Sequence, residues 1–263
     1  MNGGHRQVAT VEPPAPAAPA LGSRLTVADF FTLGNAACGF LAICSIAALF
    51  HDPDPAGGFD FGNRLPGLAV ALILVGAACD LVDGPIARKY GGSCLGAQLD
   101  NLADAISFGL APAFLVAVWG VRATDDVYLQ SAAIVAGTMC MLAVLVRLAR
   151  FATVPTAYGT FMGLPAPMGA LTVVAIVLLN LPVTVAAPAI VLVALLMISR
   201  ITYPKPQGPT ALIALLWLAC SVAALSAYAA QLPGSDGIVT AGAGLQILLT
   251  LLIPVGMWRG ART

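Results

Sequence analysis

The chain reads as long apolar stretches separated by short polar breaks. Eight such stretches stand out, at about residues 31–50, 66–89, 96–119, 128–149, 166–182, 185–199, 211–231 and 238–258. Each is close to the roughly 20 residues a helix needs to cross the hydrocarbon of a bilayer. The fifth and sixth are the shortest, and the Leu181-Pro182 break between them marks either a loop or a kink within one longer helix. Ahead of the first stretch, Leu25, Val27, Phe30 and Phe31 with Arg24 and Asp29 predict a short helix lying on the membrane surface. Residues 1–22, with the run VEPPAPAAPALG, have no apolar period and predict a disordered tail. No hydrophobic core follows Arg6, so the tail does not read as a signal peptide.

Composition turns this pattern into a fold class. Hydrophobic residues make up 59% of the 263 and charged residues only 9%, where soluble domains carry about a quarter charged. Mean hydropathy is +0.93. An all-α integral membrane protein follows, a polytopic bundle of about eight helices, because helices satisfy their own backbone in lipid. Charge then orients it, since Lys and Arg gather in short cytoplasmic loops. With the N-terminus inside, Arg6, Arg24, Arg88, Lys89, Arg147, Arg150, Arg200, Lys205, Arg259 and Arg262 fall on the cytoplasmic side, and only Arg64 and Arg122 fall outside. The expectation is a multi-pass protein of the cell membrane, plasma or inner. Twelve basic residues balance twelve acidic ones, and no nucleic-acid partner is expected. Cys38, Cys44, Cys79, Cys94, Cys140 and Cys220 show neither a zinc spacing nor a disulfide framework. His5 and His51 have no metal-ligand neighbours in the sequence.

Against this background four aspartates are conspicuous: Asp80, Asp83, Asp100 and Asp104, in CDLVDGPIARKYGGSCLGAQLDNLADAISFG. Carboxylates at membrane depth are costly and mark pairing or binding. Helical spacing puts Asp80, Asp83, Gly84 and Ala87 on one face, and Gly96, Asp100, Asp104 and Ser107 on a face of the next helix. Gly91-Gly92 is a turn signal. A helical hairpin would therefore oppose the two faces, at the end of the bundle expected to be cytoplasmic. Facing carboxylates repel unless cations lie between them, and an all-oxygen set favours Mg²⁺, Mn²⁺ or Ca²⁺. Paired divalent ions serve displacement at phosphorus, and Arg88 and Lys89 suit a phosphate-bearing substrate. The competing reading is structural: polar residues that glue helices, with Arg88 pairing an aspartate.

These residues spell D-x-x-D-G-x-x-A-R, seven intervening residues, then G-x-x-x-D-x-x-x-D: Asp80, Asp83, Gly84, Ala87, Arg88, then Gly96, Asp100 and Asp104. The pattern resembles the signature of the CDP-alcohol phosphotransferase family. Within that family the runs FFTLGNAACGFLAI, LDNLADAISFGLAPA, VRLARF, FMGLPAPMGA and LLMISRITYPKP are most similar to the membrane-spanning bacterial phosphatidylserine synthases. The resemblance covers about residues 24–206. It implies a core at 23–206 containing the family's six helices, with 207–263 as two additional helices and a short cytoplasmic C-terminus.

What the resemblance implies chemically is specific. Serine would attack CDP-diacylglycerol, releasing CMP, with two divalent cations, Mg²⁺ or Mn²⁺, as cofactors. Asp80, Asp83 and Asp100 would hold the metals, Asp104 would contact the second metal and act as general base, and Gly84, Ala87, Arg88 and Gly96 would border the nucleotide. The expected partners are these two substrates, bilayer lipid and a second copy in a homodimer. Beside these roles, Ser93 reads as a phosphate ligand or as a turn residue. Thr32 and Asn35 line the nucleotide pocket, or else cap and cross-link helices. Serine carries a carboxylate that wants a cation, and Arg147 and Arg150 are the first candidates, Arg200 and Lys205 the next. Tyr158 and Gly163-Leu164-Pro165 either close over the acceptor or form a plain loop. Two alternatives stay open, a sibling enzyme with another acceptor such as glycerol 3-phosphate or inositol phosphate, and an ion-coupled transporter. The transporter predicts carboxylates near the midplane and perhaps inverted repeats. Here the carboxylates cluster at one end and no repeat is visible.

Overall fold

The structure, a computed structural model, describes residues 25–51, 64–153, 160–204, 212, 216, 220, 223 and 234–260. The expected tail, Tyr158, Lys205 and most of the seventh stretch lie outside them.

Helix α1 runs Val27–Ala47 and ends in a 3₁₀ turn, Ala48–His51. Its start overturns one expectation: the separate surface helix does not exist. The Thr26 backbone N–H and hydroxyl both donate to Asp29 Oδ2, at 2.6 and 2.9 Å. That arrangement fixes the N-cap ahead of Val27, so Phe30 and Phe31 belong to the first turns of the membrane helix itself. Helix α2, Arg64–Tyr90, stops at Gly91, whose φ of 90° suits a residue without Cβ.

The third expected stretch is one continuous helical rod made of α3 (Gly96–Asp104), a π-helical turn (Ala105–Leu110) and α4 (Ala111–Ala123). The ladder widens just before Pro112, which has no N–H to offer the Phe108 carbonyl. Helix α5 spans Val127–Thr153. The strands β1 (Thr160–Met162) and β2 (Thr202–Pro204) pair antiparallel with Phe161 opposite Tyr203. Between them lie α6 (Ala166–Leu178) and α7 (Val183–Ile198); α8 (Ser235–Gly260) follows. The break at Leu181-Pro182 is thus a true turn, not a kink. Asn180 adopts φ 46° there and its Oδ1 accepts from Trp119 Nε1 at 3.2 Å.

Among the described residues, four helical segments are long and apolar enough to cross a membrane: Val27–Ala47, Pro66–Tyr90, Gly96–Ala123 and Val127–Thr153. Helices α6 and α7 have only 13 and 16 residues. Trp119, Phe108, Leu115, Ile190 and Met197 are fully buried at the centre of the bundle. Phe30, Phe40, Val135, Leu142 and Leu192 are exposed on its outside, as an apolar solvent requires. Helices α4 and α5 approach closely at Gly137, where a Cβ would lie 2.8 Å from the Ala113 carbonyl. Small residues allow such contacts, on which association in lipid depends.

The bundle has two chemically distinct ends. At one, Arg122 Nη1 donates to the Leu49 carbonyl at 3.0 Å, near the Trp119–Asn180 bond. At the other lie the α2–α3 turn with Arg88 and Lys89, and the ends of α5 and α7, joined where Arg150 Nη1 donates to the Ile198 carbonyl at 3.0 Å. The four aspartates belong to this second end.

Candidate functional site

Helix α2 carries Asp80 and Asp83 three residues apart, and α3 carries Asp100 and Asp104 four apart, so each pair shares a face. The expected packing of one helix directly on the other is not found: α1 packs against both α2 and α3, and the turn at Gly91 brings only their carboxylates together. Asp80, Asp83 and Asp100 each present a carboxylate oxygen, all within 4.8 Å of one another. Asp104 lies outside that trio, with Asp80, Asp100 and Arg147 as its electrostatic neighbours. Carboxylates crowded in this way repel one another unless a cation lies among them.

Oxygens bound to one divalent ion at 2.0–2.6 Å stand no more than about 5 Å apart. The trio meets that limit. Asp100 Oδ1 is also buried and without a hydrogen-bond partner, a cost that a ligated cation would remove. The donor set is all oxygen, which suits Mg²⁺ or Mn²⁺. Asp80, Asp83 and Asp100 therefore fit a single divalent ion, where the sequence led to an expectation of two ions held by four aspartates.

Helix α1 forms the third wall. Thr32 Oγ1 donates to Asp83 Oδ2 at 2.8 Å, and Asn35 Nδ2 donates to Asp104 Oδ1 at 3.2 Å. Both side chains, expected near the nucleotide, thus contact the carboxylates directly. Arg147, from α5, is buried beside Asp104 and Asp80, its guanidinium 4.8 Å from the centre of the Phe151 ring. Arg88 is exposed and curls back, its Nη1 3.5 Å from where a Cβ on Gly84 would sit. Half-buried Ala87 packs near Gly92.

Two expectations change. The Ser93 hydroxyl donates to Asp29 Oδ1 at 2.9 Å; its single proton is committed to bracing the turn, not offered to a phosphate. Arg150 reaches the last turn of α7, where a cation meets free carbonyls favourably, and only Arg147 of the pair neighbours the aspartates. Arg200 is exposed. The Gly163-Leu164-Pro165 segment is pinned to the end of α7: Gly163 N–H donates to the Ile201 carbonyl at 2.7 Å and Leu164 N–H to that of Leu196 at 3.1 Å.

Asp29 is the residue that sequence reasoning missed. It is 1% exposed, holds Thr26 and Ser93 together, and would touch a Cβ on Gly96 at 3.3 Å. The signal was available: Thr26-x-x-Asp29 ahead of an apolar run is a helix-start pattern.

The family model for CDP-alcohol phosphatidyltransferase matches residues 25–231. The chain belongs to this family. The match takes in α1 to α7 and runs past residue 206, where the sequence likeness ended. Among curated relatives, the CDP-diacylglycerol–serine O-phosphatidyltransferase of Methanocaldococcus jannaschii is 32% identical over 182 residues, 69% of this chain and 75% of that protein. The enzyme of the same name from Bacillus subtilis is 30% identical over 178 residues, 66% of this chain and 86% of its own. The archaetidylserine synthase of Methanothermobacter thermautotrophicus is 35% identical over 144 residues, 53% of this chain and 59% of that relative. Membership of this family, with the long apolar helices, makes the chain a membrane enzyme, and the transporter alternative falls.

Proposed function

We propose that the protein transfers the phosphatidyl group of CDP-diacylglycerol to L-serine, giving phosphatidylserine and CMP. The observation that carries this reading is the convergence of Asp80, Asp83 and Asp100 within 4.8 Å, with Asp104 and Arg147 beside them. The names of the M. jannaschii and B. subtilis relatives supply the substrates. Two Mg²⁺ or Mn²⁺ ions, held by Asp80, Asp83, Asp100 and Asp104, would neutralise the pyrophosphate and the departing CMP. Asp104 accepts the proton of the serine hydroxyl as its oxygen bonds to the lipid-side phosphorus, and the bond from that phosphorus to the CMP oxygen breaks with its electron pair. Thr32 and Asn35 hold Asp83 and Asp104 in place. Gly84, Ala87, Arg88 and Gly96 border the nucleotide, where small residues leave room and Arg88 supplies charge.

Serine is favoured over a phosphorylated acceptor by the cations available. Arg147 is the buried one beside Asp104, and Arg150 serves the end of α7. One guanidinium matches one carboxylate, whereas a phosphate monoester calls for several cations. The site opens to the cytoplasm in this reading, with the helices crossing the cell membrane several times. Its support is the split of Arg88, Lys89, Arg147, Arg150 and Arg200 from Arg122 between the two ends. A homodimer completes the proposal, and the mass of the detergent-solubilised protein tests it: a single-chain mass removes it.

The deciding experiment supplies purified protein with CDP-diacylglycerol, Mn²⁺ and a panel of alcohols, and measures CMP. Release with serine is expected. Release only with glycerol 3-phosphate or inositol phosphate moves the assignment to a sibling enzyme, and no release with any acceptor sinks it.

A further inference from the structure

Asn35 occupies an unusual position: it is fully buried and touches three elements at once. Its amide nitrogen donates to Asp104 Oδ1 at 3.2 Å, and its backbone carbonyl accepts from the Ser107 hydroxyl at 2.7 Å. Ser107 lies in the π turn that begins immediately after Asp104. Two glycines make room for this junction. A Cβ on Gly39 would collide with the Ser107 hydroxyl and stand 2.7 Å from its Cα, and one on Gly76 would lie 2.8 Å from Asn35 Oδ1. That same Oδ1 is buried without a hydrogen-bond partner.

A buried amide oxygen with no partner costs free energy. A residue kept only to join helices would be better served by an apolar side chain of similar shape. What Asn35 alone provides is the N–H aimed at Asp104, in a frame set by Ser107 on one side and the bare backbone of Gly76 on the other. Ser107 brings the π turn into this frame, a deformation that occurs frequently at functional sites.

We infer that Asn35 is a positioning residue for Asp104: together with Ser107 it sets the orientation of that carboxylate toward the acceptor hydroxyl. The inference rests on the reading of Asp104 as the base. It departs from a nucleotide-contacting role for Asn35, because a fully buried side chain engaged with Asp104 has no surface to offer a cytidine.

Asn35→Leu tests it. The variant removes the donor and the orphaned oxygen together, so stability and catalysis should separate. The expected result is a kcat for CMP release about tenfold lower or worse, as misplacement of a reacting group gives. The KM for CDP-diacylglycerol should stay within about twofold, and the thermal midpoint should not fall. A kcat within about twofold of the parent overturns the inference, as does an equal loss of stability and activity. Should Asn35→Leu fail to fold, Ser107→Ala removes the other arm of the frame, and the same kcat-against-KM split is expected; an unchanged kcat overturns the inference there too. Asp104→Asn, assayed alongside, keeps the two readings apart. An inactive Asp104→Asn with a fully active Asn35→Leu defeats the positioning role alone, whereas an active Asp104→Asn defeats the base itself.

Discussion

Two buried polar clusters among the described residues are built on opposite principles. Between α6 and α8, Thr172 Oγ1 and Thr250 Oγ1 lie 2.8 Å apart. Each also reaches a carbonyl of its own helix, Met168 at 2.7 Å and Gln246 at 2.9 Å, and Gln246 Nε2 donates to Thr172 at 3.5 Å. The cluster is neutral, and its two hydroxyl protons are divided among the two carbonyls and the threonine oxygens. At the aspartate end four carboxylates crowd together, and Asp100 Oδ1 and Asn35 Oδ1 are left without partners. Both clusters join helices in a medium where apolar contact gives little drive. The difference teaches that neutral groups can pair across helices by themselves, while crowded carboxylates with an orphaned Asp100 oxygen leave a place for a cation.

Experiments can push on that contrast from its strong side to its weak one. Exhaustive chelation should abolish CMP release, and Mg²⁺ or Mn²⁺ should restore it; activity that survives chelation would remove the metal centre from the account. Asp104→Asn should lower kcat by about 10³-fold, within the usual range for loss of a general base, while binding of the CDP-lipid persists. Thr32→Val deletes the donor to Asp83 and keeps the shape. The half-saturating Mn²⁺ concentration should rise about tenfold, in line with a hydrogen bond to a charged group, and an unchanged metal requirement would mean that Asp83 does not depend on α1. The smallest effect belongs to the neutral cluster. Thr172→Val should cost about 0.6 kcal/mol of stability and leave kcat within about twofold; a large loss of turnover would show that the two clusters are coupled.

Much of this site is legible in the residue order. Asp80, Asp83, Asp100 and Asp104 announce themselves because charge is rare in the stretches around them, and helical spacing predicts which pairs share a face, but α1, which packs against both helices, is what holds them together. The contribution of α1 was harder to read. Thr32 and Asn35 lie 51 and 69 residues from the carboxylates they bond, and nothing local distinguishes such residues from helix caps. Asp29 was hidden for another reason, since amphipathic spacing at the start of a membrane helix imitates a surface helix. The π turn has only Pro112 as a signal, and a proline near a helix start is common enough to pass unnoticed. For Ser93 and Arg150 the sequence leaves the partner open, and packing decides it: Ser93 donates to Asp29 and Arg150 to the Ile198 carbonyl.

The brevity of α6 and α7 has a consequence for the bilayer itself. Their 13 and 16 residues reach about 20 and 24 Å at 1.5 Å per residue, against a hydrocarbon thickness of about 30 Å. Helices of that length would cross the whole bilayer only where the lipid thins to meet them. At that turn the Trp119 indole N–H meets the Asn180 side chain, so a polar residue at the tip of two short helices enters the bilayer already hydrogen-bonded.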